Sequence, residues 1–140
     1  MGKFTLVPRK LVVRRSSAGL GLYTQEPIAK GACIIEYKGR VLSKEEEETI
    51  TSQYLFEVSK TVTIDGKDRS NTARYINHSH RPNCEIEIYK GHVYVMARRA
   101  IKAGEELSYD YGKEFYNEYI KPKGCKCAKC RPELHAVSTA

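Results

Sequence analysis

Arg74-Tyr75-Ile76-Asn77-His78-Ser79-His80-Arg81-Pro82-Asn83-Cys84 is dense in hydrogen-bonding side chains and shows no amphipathic period. A solvent loop has little reason to carry Tyr75 and Ile76 as well, so the stretch reads as a buried site whose polar groups need partners. Asn77 and His78, adjacent in such a turn, need them most, and packing alone does not account for the pair.

Outward from this stretch the chain reads as many short strands. Glu85-Tyr89 and His92-Arg98 alternate around Lys90-Gly91 and predict a hairpin. Asn71 to Ile76 reads as one helical turn. Tyr54-Val58 and Thr61-Asp65 form a second expected hairpin, and Phe4-Val7, Leu11-Arg14, Leu20-Thr24 and Cys33-Tyr37 are further strand candidates, rich in β-branched or aromatic residues. Cys33, between Ala32 and Ile34, belongs to a core strand. One helix is expected, from Ser43 to Gln53: Ser43 and Glu46 make a capping-box pattern, and Glu45 to Glu48 place carboxylates at its N-terminus.

Three more clusters carry chemistry. Ala18-Gly19-Leu20-Gly21 lets a ligand approach the backbone without Cβ interference, although a glycine pair before a strand also reads as a plain turn. Tyr109 and Tyr111 lie two apart and share a face if extended, as core tyrosines or as site tyrosines. Cys125, Cys127 and Cys130 stand too close together for a disulfide framework and read as metal ligands, with a redox thiol cluster as the minor alternative. Zinc takes four N or S ligands, so the fourth donor comes from His78, His80 or Cys84. Phe115, Tyr116, Tyr119 and Ile120 recur at helical spacing, enough to pack a short helix against the site or over the core.

Taken in this order, Gly19-Leu20-Gly21, Glu36-Tyr37-Lys38-Gly39, Tyr54-Leu55-Phe56, Ile64-Asp65-Gly66, the Arg74-to-Cys84 segment and Glu106-to-Gly112 resemble the SET-domain family of protein lysine methyltransferases, with a short post-SET cysteine segment. The resemblance runs from about Arg9 to Cys130. It implies a mostly β fold with short helices, small curved sheets around a pseudo-knot. It divides the chain into a SET domain over residues 1–112, a zinc-binding tail over 113–131 and a disordered end over 132–140.

The same resemblance implies transfer of methyl from S-adenosylmethionine to the lysine side chain of a protein such as a histone. Tyr111 matches the catalytic tyrosine beside the transferring methyl and Tyr37 a tyrosine lining the lysine channel. Tyr109 matches the position that tunes how many methyl groups are accepted, and tyrosine there implies mono- or dimethylation. Ala18, Gly19 and Leu20 would contact the cofactor through backbone, and Tyr54, Arg74, Asn77 and His78 would complete its pocket. Many members carry cysteine directly after Asn-His-Ser as the fourth zinc ligand. Here that position is His80, which gives a Cys3His set of His80, Cys125, Cys127 and Cys130, with Cys84 as the alternative donor. The tail also departs from the common spacing, with two residues rather than four between its last two cysteines.

With 140 residues, 41% apolar and 29% charged, the chain is expected to be one soluble domain, neither disordered nor membrane-spanning, and its first residues show no signal-peptide apolar stretch. It is expected in the cytoplasm or nucleus, delivery into another cell included. The net charge of +7 gathers at the two ends: +6 over residues 1–40, −3 over 41–70, +1 over 71–112 and +3 over 113–140. Such a balance suits an acidic partner or nucleic acid, and leaves an inactive zinc-stabilised binding module as the rival to an enzyme.

Overall fold

The computed structural model describes residues 6–17, 19–50, 54–127 and 129–131. Among the described residues ten strands run in chain order: β1 (Leu11–Ser16), β2 (Gly19–Thr24), β3 (Cys33–Tyr37), β4 (Arg40–Leu42), β5 (Leu55–Glu57), β6 (Thr63–Asp65), β7 (Asn77–His78), β8 (Cys84–Tyr89), β9 (His92–Ala97) and β10 (Ser108–Tyr109). Helices are few and short. The fold is mostly β, in four small sheets: the β1-β2 hairpin, β3-β9-β8, β4-β6-β5 and the pair β7-β10.

The middle strand β9 organises the core: its first residues alternate, with Val93 and Val95 inward, and its end is buried on both sides at Met96 and Ala97. Val93 and Val95 are fully buried, and they join Leu22, Ile28, Ile76, Ile101 and Leu107 in one apolar cluster. Burying each Leu or Ile of this kind contributes about 1.5–3 kcal/mol. The hairpin to β8 turns at Lys90 and Gly91, both with positive φ (50° and 80°), the conformation of a tight two-residue turn whose twist matches the strands.

Further backbone bonds tie segments outside the four sheets to one another and to β2. Ile28 and Ile101 exchange N–H···O bonds of 2.8 Å each, and the Leu107 N–H donates to the Leu22 carbonyl at 2.8 Å. The next two residues after Leu107 form β10, which runs parallel to β7 with Ser108 opposite Asn77 and Tyr109 opposite His78. That pairing brings the polar stretch at 74–84 and the tyrosine stretch at 105–112 side by side.

Several local expectations change. Leu6 and Val7 belong to no strand and are exposed; Pro8, without an N–H, interrupts any ladder there, while Arg9 instead donates to the Cys33 carbonyl through Nε (3.1 Å) and an Nη (2.8 Å). Phe4 lies outside the described residues. The helix α1 spans Lys44–Thr49, with the capping box at Ser43 and Glu46 formed as expected, but Ile50 is already extended at φ −100°, ψ 124°, and residues 51–53 lie outside the described set. Strand β4 was not anticipated: three residues carry too little pattern, and it exists by pairing with β6. Asn71 to Ile76 holds one 3-10 turn, Thr72–Tyr75. After Gly112 (φ 97°), α2 (Lys113–Phe115) continues through a wide turn at Tyr116–Ile120 and a tight one at Lys121–Lys123, so the expected tail helix is present but irregular. Residues 132–140 lie outside the described residues. Among the described residues, no helix is long and apolar enough to cross a membrane.

Candidate functional site

A cleft of about 1110 Å³ opens where β2, β5, the 3-10 turn, β7, β10 and the cysteine tail meet. Tyr37, Tyr109 and Tyr111 form part of its wall, and Leu20, Tyr54, Arg74, Asn77 and His78 line it as well. Eight residues read from the sequence as site residues thus come together. Gly19 opens β2 at φ 104° and is not among the lining residues, and Ala18 lies outside the described residues.

The tyrosines are fixed individually. The Tyr37 hydroxyl donates to the Tyr54 carbonyl at 2.7 Å, and its ring packs on Phe56 with centroids 5.3 Å apart. The Tyr109 and Tyr111 rings lie 4.7 Å apart at 44°, within the range of favourable aromatic pairs. The Tyr111 hydroxyl donates to the Ile76 carbonyl, and Phe115 from α2 meets the Tyr111 ring edge-on at 4.9 Å. Desolvation, reinforced at Tyr37 by the Asp65 carboxylate and at all three by neighbouring tyrosines, pushes the phenols of Tyr37, Tyr109 and Tyr111 above their ordinary range, so all three stay protonated at neutral pH.

Arg74 stacks its guanidinium 4.2 Å from the Tyr54 ring and 5.1 Å from that of Tyr75, and its buried Nε has no hydrogen-bond partner among the described residues. The Asn77 Nδ2 faces three acceptors: Glu106 Oε2 at 2.8 Å, the Leu20 carbonyl at 2.9 Å and Ser16 Oγ at 3.1 Å. His78 accepts the Tyr111 backbone N–H at Nδ1, 3.1 Å. Burial lowers its pKa, the His80 ring adds to this and Asp110 opposes it. Sequence reasoning gave no role to Glu106. It stands 29 residues from Asn77, and only the β7-β10 pairing joins them.

The second feature adjoins the first. One ligand atom each from His80, Cys125, Cys127 and Cys130 lies within 4.8 Å of all the others, a grouping that can hold a metal ion. Around one tetrahedral zinc with ordinary Zn–N and Zn–S lengths, nitrogen and sulfur stand about 3.6 Å apart. His80 Nδ1 lies 3.3, 3.6 and 3.8 Å from the sulfurs of Cys130, Cys127 and Cys125. The donor set therefore fits a closed four-ligand site. Cys84, the alternative donor, is buried in β8 beside the Asn83 amide oxygen at 3.3 Å, outside the group, and burial pushes its thiol up to about 12. Burial also raises the Cys127 thiol, but N–H groups of His80 and Cys130 pointing at it outweigh that and hold it down to about 6. From the expected tail stripe, Tyr116 packs on both histidines, 5.4 Å from the His78 ring and 4.6 Å from that of His80.

Small sheets locked by a parallel two-residue pair, a cleft walled by tyrosines and a cysteine tail at its edge define a SET-type domain with a post-SET segment. The family described as SET domain matches residues 19–112, and the chain belongs to that family. It is 35% identical over 136 residues to the histone-lysine N-methyltransferase trithorax of Drosophila virilis, covering 89% of this chain and 4% of that protein. Over 126 residues it is 34% identical to the histone-lysine N-methyltransferase ash1 of Drosophila melanogaster, 81% of this chain and 6% of that protein. Over 130 residues it is 38% identical to the histone-lysine N-methyltransferase, H3 lysine-4 specific, of Yarrowia lipolytica, 82% of this chain and 11% of that protein. The chain thus spans a small fraction of the length of these relatives.

Proposed function

We propose that this chain is an S-adenosylmethionine-dependent protein-lysine N-methyltransferase acting on histone-type substrates. The observation that carries the reading is the Tyr109–Tyr111 pair, rings 4.7 Å apart in the cleft wall, with the Tyr111 hydroxyl fixed on the Ile76 carbonyl beside Asn77 and His78. When bound, S-adenosylmethionine supplies an electrophilic methyl on a sulfonium.

The protein's task is to present a neutral amine in line with that methyl. A free lysine, pKa about 10.4, is neutral in only about one molecule in 2,500 at pH 7. Lowering that value by about three units corresponds to ~4 kcal/mol, within reach of a narrow channel walled by rings such as those of Tyr37, Phe56 and Tyr109. Because Tyr111 stays protonated, it serves by position: its hydroxyl proton is committed to Ile76, which leaves oxygen lone pairs for weak C–H···O contacts and for orienting the amine. Tyr37 lines the amine's path, and the Tyr109 hydroxyl occupies room that a methylated nitrogen would need, which favours mono- or dimethylation. Gly19 and Leu20 at the start of β2 contact the cofactor through backbone, and Tyr54, Arg74, Asn77 and His78 complete its pocket.

In the same reading the tail, residues 113–131, binds one structural zinc through His80, Cys125, Cys127 and Cys130. With all four positions taken by protein the ion has no catalytic opening, and it ties the tail to His80, two residues past His78 at the end of β7. Mixing the protein with methyl-labelled cofactor and histones tests the assignment. Label on lysine, with one or two methyl groups by mass spectrometry, is expected. No incorporation, together with binding to nucleic acid that falls steeply with salt, would favour the binding-module reading instead.

A further inference from the structure

Glu106 is the odd charge in the cleft. The lining carries four arginines and Lys126 against two carboxylates, and one of these, Glu105, is already paired with Arg99 at 2.9 Å. Among the described residues Glu106 has no cationic partner. Its neutral partners leave it under-used as well. Tyr23 has one hydroxyl proton, and the Arg15 carbonyl at 3.0 Å competes for it against Glu106 Oε1 at 3.5 Å. The two protons on Asn77 Nδ2 are shared among three acceptors, of which Glu106 Oε2 is one. A carboxylate accepts up to about four hydrogen bonds, so this one keeps spare capacity.

Its position is nonetheless tightly set. A Cβ on Gly21 would run into the Glu106 carboxylate and stand 3.1 Å from Asn77 Nδ2, so glycine there is what admits the group. The acceptors gathered in this corner, Glu106, the Leu20 carbonyl and Ser16 Oγ, suit a donor that brings positive charge and several protons, which describes an ammonium. Three acceptors around one amide nitrogen also fix the Asn77 orientation, and its Oδ1 has no donor among the described residues.

We propose that Glu106 is the counter-charge for the ammonium on the amino-acid end of the cofactor, acting through its negative charge as well as through the hydrogen bond that orients Asn77. This rests on the reading of the cleft as an S-adenosylmethionine site and adds a residue to it. An ammonium set against a lone carboxylate in a cleft otherwise rich in arginine also fixes which end of the cofactor enters where.

The test is calorimetric titration of wild type and Glu106→Gln with S-adenosylhomocysteine, its desamino analogue and methylthioadenosine, which lacks the whole amino-acid end. Glutamine keeps an acceptor for Asn77 and removes the charge. Glu106→Gln should weaken S-adenosylhomocysteine about tenfold and leave methylthioadenosine within about twofold. In wild type the desamino analogue should bind about tenfold more weakly than the parent, and in Glu106→Gln that difference should vanish. Unchanged binding of S-adenosylhomocysteine to the variant, or an equal loss for all three ligands, overturns the proposal. So does equal wild-type affinity for parent and desamino analogue, which needs no variant to fold. Wild-type protein that binds none of the three nucleosides overturns the methyltransferase reading itself, and this proposal with it.

Discussion

His78 Nδ1 accepts the backbone N–H of Tyr111 at 3.1 Å, so the histidine of the polar stretch holds the tyrosine of the other stretch by its main chain while the Ile76 carbonyl holds it by its hydroxyl. Tyr111 is therefore fixed at both ends, and Tyr111→Phe releases only one. The ring should stay, packed on Tyr109 and edge-on to Phe115, and stability should fall by about 1–3 kcal/mol, because the Ile76 carbonyl loses its donor. On the proposed mechanism turnover should fall at least about a hundredfold while cofactor affinity changes little, because the lost oxygen would face the reacting centre. Methyl incorporation and cofactor titration on the same preparation give both numbers.

Metal removal should act on fold and activity together. The proposed metal would tie the tail to His80, two residues past β7; apart from it, a Ser17 Oγ–H···O bond of 3.3 Å to the Lys126 carbonyl is a weak anchor. A chelator should lower the melting temperature and abolish turnover, and His80→Ala or Cys130→Ser should do the same with loss of zinc by elemental analysis. His80→Cys should retain the ion, since it restores four N or S donors. Turnover unaffected by stripping the metal would separate the tail from the site.

Much of this arrangement was legible because its signals are local. The Lys90-Gly91 turn, the capping box at Ser43 and Glu46, and the thiol cluster each depend on residues within a few positions of one another. What stayed hidden depends on distance. Strand β4 has three residues and exists only against β6, and Leu6 and Val7, apolar and β-branched in part, stand outside the sheets because Pro8 follows. The partnership of Glu106 with Asn77 is invisible in either segment alone, since the parallel β7-β10 pair that creates it leaves only two residues of pattern on each side. His80, rather than His78 or Cys84, as fourth donor came only from the family resemblance, at the position after Asn-His-Ser; that Cys84 is buried in β8, away from the tail thiols, is a tertiary fact neither segment shows alone.

Alkaline pH should unfold the protein through its buried phenols. Tyr37, Tyr109 and Tyr111 all have folded pKa values above the ordinary value of 10, through desolvation first and neighbouring tyrosines or carboxylates next. Below pH 10 both states hold these protons and the stability they contribute is complete. Above it the unfolded chain loses them first, so stability falls as pH rises. Phenolate absorbance should accordingly show a set of tyrosines that titrates only together with loss of the fold. If every tyrosine ionises smoothly near pH 10 with the fold intact, the enclosure of these rings is refuted.

Two glycines, Gly66 against the Tyr37 ring and Gly39 against the Asp65 backbone, predict different costs for the same change. A Cβ at Gly66 would meet the Tyr37 ring and the Asn71 amide, and Asn71 in turn accepts from the Lys38 N–H at 3.0 Å and donates to the Gly66 carbonyl at 3.0 Å. Side chains can shift, so Gly66→Ala should cost about 1–3 kcal/mol in urea unfolding, the usual range for overpacking. By displacing the ring that lines the proposed lysine channel, it should also raise the KM for peptide more than it lowers kcat. A Cβ at Gly39 would instead collide with the Asp65 backbone carbonyl, at the residue where β4 begins its pairing with β6. Backbone there cannot yield without parting the strands, so Gly39→Ala should be the more destabilising of the two. An alanine at 39 that is tolerated as well as one at 66 would contradict the close approach of these two chain segments.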